Sequence, residues 1–326
     1  MEGMVGVMKA EVMLIGAGDM AIEYTKVLSG MGVNYIIVGR GEQSAARCEE
    51  LSGHSVYRGG IEKYLAEGKE IPEKAIVVVY PLSLKMVAEQ LIHAGVKEIL
   101  LEKPGGMDLA EITELSNLAK DKGVSVYVAY NRRFYASVAK AKELIEQDGG
   151  VSSFNFEFTE WSHRIEELPK PKGELEGWFM ANSTHVVDLA FFLGGEPKEM
   201  SSYVCGSIPW YSKASAFAGS GITKEGAVFS YKANWKSAGR WSVEILTQEH
   251  KFLFEPMEQL RVQNRGEIKV EQLDIDDEID IKYKAGLYKE VEAFLTGNTE
   301  MLPDIHEQKR NAIVYQLMET TGHKVF

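Results

Sequence analysis

The segment Gly16-Ala17-Gly18-Asp19-Met20-Ala21 constrains this chain most, because it joins an apolar run to a helical stripe. Val12-Met13-Leu14-Ile15 precedes it as a short, continuous apolar run, the pattern of a buried strand. Met20, Tyr24, Val27, Leu28 and Met31 follow at helical spacing, and Gly30 and Gly32 end that helix. A GxGxxA turn in this setting has a physical logic. Gly16 permits the tight turn, Gly18 lets a pyrophosphate approach the backbone, and Ala21 is small enough for close packing of helix on strand. The helix start then offers its unpaired N–H groups to the phosphates. The pattern predicts a dinucleotide site, against the plainer alternative of a glycine-rich turn without a ligand.

Apolar runs keep alternating with helical stretches over about the first 130 residues, with strands expected at 11–15, 34–38, 75–79, 98–101 and 124–129. That alternation predicts a doubly wound parallel sheet of Rossmann type with helices on both faces. From about residue 151 the period changes to two. Phe154, Phe156 and Phe158 point to one side, and Ser153, Asn155, Glu157 and Thr159 to the other. Further strands are expected near 199–205, 226–235, 241–247, 251–255, 259–264 and 267–272, with short turns such as Asn264-Arg265-Gly266. These predict an antiparallel sheet. A length of 326 residues suits two domains, placed at 1–131 and 132–326. One face of the second sheet is expected to pack on helices and the other to meet a second subunit.

An NAD site usually carries Asp or Glu at the end of the second strand, where it holds the ribose hydroxyls. Here the chain reads Val38-Gly39-Arg40-Gly41. With no carboxylate there, and a guanidinium suited to a 2′-phosphate, NADP is expected, with NAD as the alternative; the bland reading makes Arg40 a solvated loop residue. After the fourth expected strand comes Glu102-Lys103-Pro104, and Asp108 and Glu111 open the next helix as a capping box. Lys103 therefore falls at the carboxyl edge of the sheet, where ligands bind in open α/β folds and where a lysine can take part in proton transfer.

In the second half, Ser183 or Thr184 is expected to cap a helix that carries Val186, Leu189, Ala190 and Leu193 and stops at Gly194-Gly195. That places His185 in the first turn, where a neutral imidazole is favoured, with Asp188 on the same face to orient the ring. The competing reading is a satisfied histidine in the packing. Trp161-Ser162-His163-Arg164 offers an aromatic platform and polar groups suited to a hydroxylated or anionic ligand, or else a loop anchored by one buried Trp.

A formal charge of -12 and a pI near 5.2 oppose nucleic acid or an anionic membrane as partner. Cys48 and Cys205 lack redox or metal spacing and are expected to be buried thiols. No apolar run is long enough for a membrane span, the N-terminus lacks the pattern of an export signal, and neither HxxxH nor HExxH occurs. A cytoplasmic protein without a metal is expected.

Taken in order, the GxGxxA turn, Glu102-Lys103-Pro104, Tyr130-Asn131-Arg132-Arg133-Phe134 and His185-Val186-Val187-Asp188 resemble the glucose-fructose oxidoreductase, inositol dehydrogenase and MocA family (Gfo/Idh/MocA). The resemblance implies a Rossmann domain followed by an α/β domain with a large, mostly antiparallel open sheet, and oxidation or reduction of a secondary alcohol on a sugar, nucleotide sugar or polyol with NAD or NADP; a homo-oligomer through the second sheet is expected. It implies that Lys103 lies beside the nicotinamide and that His185 acts opposite it as acid/base or substrate ligand. The cofactor is assigned to Gly16, Gly18, Asp19, Met20, Arg40, Pro81, Glu102 and Lys103, and the substrate to Arg133, Trp161, His163, Arg164, Asn182 and His185. The family's sugar oxidisers often carry Asp four residues before the His; here that position is Ala181, followed by Asn182. That departure keeps two other functions open: a cofactor-binding regulatory protein, and an enzyme that uses the nicotinamide transiently for elimination or epimerisation.

Overall fold

All four residues of β1 (Val12–Ile15) are buried, as a central strand covered by helices on both faces requires. The computed structural model describes residues 10–171 and 173–326. The expectation about an export signal falls largely on residues 1–9, outside the described residues. The chain forms two compact units: one of residues 10–106, 110–129 and 290–306, the other of 107–109, 130–289 and 307–326. Residues 290–306, which a single boundary after 131 would assign to the second domain, thus belong to the first.

In the first unit, β1 is followed by β2 (Tyr35–Gly39), β3 (Val56–Arg58), β4 (Lys74–Val77), β5 (Glu98–Glu102) and β6 (Ser125–Ala129). They form one parallel sheet in the order β3-β2-β1-β4-β5-β6. β1 pairs with β2 on one side and with β4 on the other, so the strand order reverses beside it, the place where open α/β sheets bind ligands at their carboxyl ends. β3 was not expected: three residues are too few to show a period. The returning segment covers the β6 edge, where Val128 N–H donates to the Pro303 carbonyl at 2.8 Å.

The second unit holds β7 (Ser153–Glu157), β8 (Pro197–Cys205), β9 (Ala216–Thr223), β10 (Val228–Asn234), β11 (Ser242–Leu246), β12 (His250–Phe254), β13 (Arg261–Asn264), β14 (Glu271–Gln272) and β15 (Gly322–Val325). These make a nine-stranded sheet, β14-β13-β12-β11-β7-β10-β9-β8-β15, antiparallel except where β7 meets β10. Phe154, Phe156 and Phe158 pack with Phe191, Phe229, Tyr231, Phe217 and Phe179 beneath the helix Thr184–Gly194. The opposite side carries exposed Asn155, Ser230 and Lys232. β9 and β15 were missed. β9 is diluted by Gly219 and Gly221, whose missing side chains make room for Tyr231 and Phe229; β15 is almost wholly exposed and has no apolar alternation to read.

Cys48 is buried, but Cys205, the last residue of β8, is exposed, a correction to the expectation of two buried thiols. No helix among the described residues is long and apolar enough to cross a membrane.

Candidate active site

At the end of β1 the chain turns at Gly16 with φ near +131°, and a Cβ there would stand 2.0 Å from the Val78 carbonyl oxygen. No other residue fits. Gly18 has the opposite surroundings: among the described residues nothing lies within 4 Å of where its Cβ would be. It caps the helix Asp19–Gly30, and among the described residues no side chain caps that helix start. Open space over uncapped N–H groups is what a pyrophosphate requires, so these residues fit a dinucleotide. Asp19 is exposed and pairs with Arg47 at 2.7 Å, Met20 is half-buried, and Pro81 opens a short 3-10 turn, Pro81–Ser83, after β4. Arg40 follows β2 and is exposed, and its guanidinium meets Glu62 at 2.5 Å. An exposed pair of this kind is worth only about 0–1 kcal/mol, so a phosphate dianion can displace Glu62.

Lys103 follows β5 directly, with Glu102 as the last residue of that strand. The Tyr24 hydroxyl lies 3.0 Å from Glu102 Oε1 and 3.3 Å from Glu290 Oε2. The Tyr24 hydroxyl thus stands between two carboxyls and has one hydrogen to donate. Glu290 is fully buried, and burial first, then the nearby Glu102 charge, push its carboxyl well above the usual range. A carboxyl raised in the folded state contributes stability below its unfolded pKa near 4.3, which is lost as pH rises through the folded value. Glu290→Gln is therefore expected to raise stability at neutral pH by on the order of 1–3 kcal/mol and to flatten the pH profile. Urea melts from pH 4 to 9 check this; equal profiles for both proteins would refute it.

In the second unit, His185 lies on the helix Thr184–Gly194, but not at a free helix start. The chain is already helical from Trp178 and passes through a π turn, Phe179–Ser183. The expected cap is absent: Thr184 Oγ1 donates back to the Met180 carbonyl, and Ser183 Oγ donates to Glu160 at 2.8 Å. The dipole argument for a neutral His185 therefore does not hold. Its ring lies edge-on to Tyr130 at 6.0 Å and tilted to Trp241 at 6.2 Å.

Asp188 does not orient that ring. Its two oxygens take Arg133 Nε at 2.8 Å and Nη2 at 2.6 Å, and Arg133 Nη2 also meets Glu307 at 2.8 Å. Arg133 is 3% exposed. Burial opposes its charge, but Asp188 and Glu307 outweigh it and hold the guanidinium protonated. Arg133, expected at the substrate, thus belongs to a buried ion cluster with Asp188 and Glu307. His163 and Arg164 are exposed on the short turn Ser162–Ile165, and Trp161 is anchored by Nε1 donating to the Gly239 carbonyl at 2.9 Å.

Glu160, just beyond β7, was not anticipated. It is buried, accepts from Asn182 Nδ2 at 2.9 Å and from Ser183, and lies 3.6 Å from Arg240. Burial is the main influence and raises its carboxyl. With its nitrogen committed to Glu160, Asn182 has Oδ1 to offer a hydroxyl.

Residues 10–130 match the family model described as "Oxidoreductase family, NAD-binding Rossmann fold" (GFO_IDH_MocA). Over these residues the chain is similar to the NAD-binding part of the Gfo/Idh/MocA family. It is similar to the uncharacterized oxidoreductase YhhX of Escherichia coli K12, 33% identical over 116 residues, which is 35% of this chain and 33% of YhhX. The match therefore spans about a third of the length of that curated relative. In fold it is similar to an NAD binding oxidoreductase from Klebsiella pneumoniae, at 17% identity with a TM-score of 0.76, covering 95% of this chain and 96% of the other. Levoglucosan dehydrogenase, solved with NADH and levoglucosan, superposes with a TM-score of 0.75 at 20% identity over 96% of this chain and 98% of its own.

Ala181 is buried at the place where the resemblance leads one to expect a carboxylate. The structure sets Glu160 against the adjacent Asn182 instead. Sequence gave one signal for it: Glu160 breaks the alternation of β7 just after Phe158.

Proposed function

We propose that this protein is a cytoplasmic, NADP-preferring oxidoreductase that moves a hydride between nicotinamide and a secondary alcohol or ketone of a sugar, nucleotide sugar or polyol. The observation that carries this reading is the uncapped helix start with open space at Gly18, in the same unit as Lys103 at the carboxyl end of β5. When bound, the nicotinamide supplies the hydride donor or acceptor. Lys103 gives or takes the hydroxyl proton, His185 serves as acid/base or substrate ligand, and Asn182 Oδ1 accepts from a substrate hydroxyl. Trp161, His163 and Arg164 border the ligand. The substrate class is supported by the fold shared with levoglucosan dehydrogenase. Homo-oligomerisation through the uncovered side of the nine-stranded sheet is part of the same reading, with sedimentation velocity as its check.

The test is absorbance at the nicotinamide band with NADPH or NADP and a panel of sugars, polyols and their ketones. Cofactor binding without turnover anywhere on the panel would overturn the enzymatic reading. Product formed with no net change in cofactor would favour transient redox chemistry. Cofactor choice has its own check: Arg40→Gln is expected to weaken NADPH binding by about 10-fold, the loss of one charge-assisted contact, and to leave NADH unchanged. Equal effects on both cofactors would remove Arg40 from 2′-phosphate recognition.

A further inference from the structure

Arg240 and Arg132 both lie against one buried ring in the second unit. The Arg240 guanidinium carbon is 4.5 Å from the centroid of Trp241 and 4.8 Å from that of Trp161, and that of Arg132 is 4.9 Å from Trp241. Trp241 also touches His185. Cation–π contact stabilises such cations but satisfies none of their N–H donors.

The carboxylates around the pair are few and occupied. Glu160 accepts from Asn182 and Ser183 on Oε1, and its Oε2 approaches Arg240 only to 3.6 Å, beyond hydrogen-bond range. Glu258, exposed, contributes to the field at Arg132 and is engaged by the Tyr135 hydroxyl. Among the described residues, none forms an ion pair or hydrogen bond with the Arg132 guanidinium, and its Nε and the Trp241 Nε1 are both shut from solvent without an acceptor. Burial pulls the Arg132 guanidinium below its ordinary value. A half-buried cation with unmet donors is costly to leave alone and is satisfied by an oxyanion.

We propose that Arg132 and Arg240, laid against Trp241, form an anion-recognition pair that selects a substrate bearing a carboxylate or phosphate group. This rests on the oxidoreductase reading, since it names the class of that reading's substrate. The planar forks match an oxyanion geometrically, and their stacking on Trp241 holds them in place before the ligand arrives.

The test is calorimetric titration of the full chain, with and without NADPH, using galacturonate, galactose 1-phosphate and galactose. At least one anion is expected to bind about 10–100-fold tighter than galactose, and Arg132→Gln or Arg240→Gln to abolish that preference while thermal midpoints stay near wild type. Arg132→Lys, which keeps the charge but loses the fork, is expected to fall between. The carboxylate and phosphate arms tell the two anions apart. Three results overturn the proposal: affinity no greater for the anions than for galactose, including no binding of any; preference unchanged in both Gln variants; or loss of NADPH affinity in place of anion affinity. Selective anion binding without hydride transfer would instead sink the oxidoreductase reading and leave the pair standing.

Discussion

Arg133→Met is expected to lower the unfolding free energy of the second unit by about 3–5 kcal/mol, the usual cost of removing one partner from a buried ion pair. The cost comes from what remains. Asp188, with a side chain 1% exposed, would keep its charge but lose the donors to both oxygens. The double variant Arg133→Met/Asp188→Leu is expected to recover most of the loss, because it removes the stranded charge along with its partner. The single variant should lose least at acid pH. Once unpaired, Asp188 is raised by burial, so its penalty appears only as pH climbs above the unfolded value near 3.9. All five tryptophans lie in residues 130–289, so fluorescence during urea unfolding reports on this unit. A loss under about 1 kcal/mol would place the cluster among the weak surface pairs.

Lys103→Ala is expected to reduce kcat/KM by about 10²–10⁴-fold, the range for removing a general acid or base. Binding of NADPH should change by less than about 3-fold, since the proposed holder of the phosphates is the Gly18 turn and not Lys103. Gly18→Val should show the reverse pattern by filling the open space above the helix start, so that cofactor binding fails first. Together the two variants separate chemistry from binding. If biological activity survives Lys103→Ala and His185→Ala but not Gly18→Val, the protein is a cofactor-binding regulator.

The parallel sheet was legible because each of its longer strands is a short apolar run followed by a helical stripe, and both signals are local. The second sheet was legible wherever alternation was strong, as at Phe154, Phe156 and Phe158. It was not legible at β9, where glycines replace the inward side chains. Nor did periodicity show that residues 290–306 return to the first unit, because helical spacing says where a face is apolar and not what it packs against.

The candidate site divides along the same line. Gly16, Gly18 and Ala21 could be assigned from the chain alone, since a turn, a close approach and a tight packing contact each demand a particular small residue within six positions. Arg133, Asp188 and Glu160 could not. Arg133 and Asp188 are 55 residues apart and Glu160 and Asn182 are 22 apart, so their roles rest on which distant partner folding brings to each. Sequence determined that the chain builds a dinucleotide turn and two sheets of different period. Only the tertiary structure decided that Arg133 pairs with Asp188, that Glu160 stands beside Asn182, and that Arg132 lies against Trp241 with no ion pair or hydrogen bond to its guanidinium among the described residues. A side chain's chemistry is written in the sequence, but its charge balance depends on neighbours that no local pattern specifies.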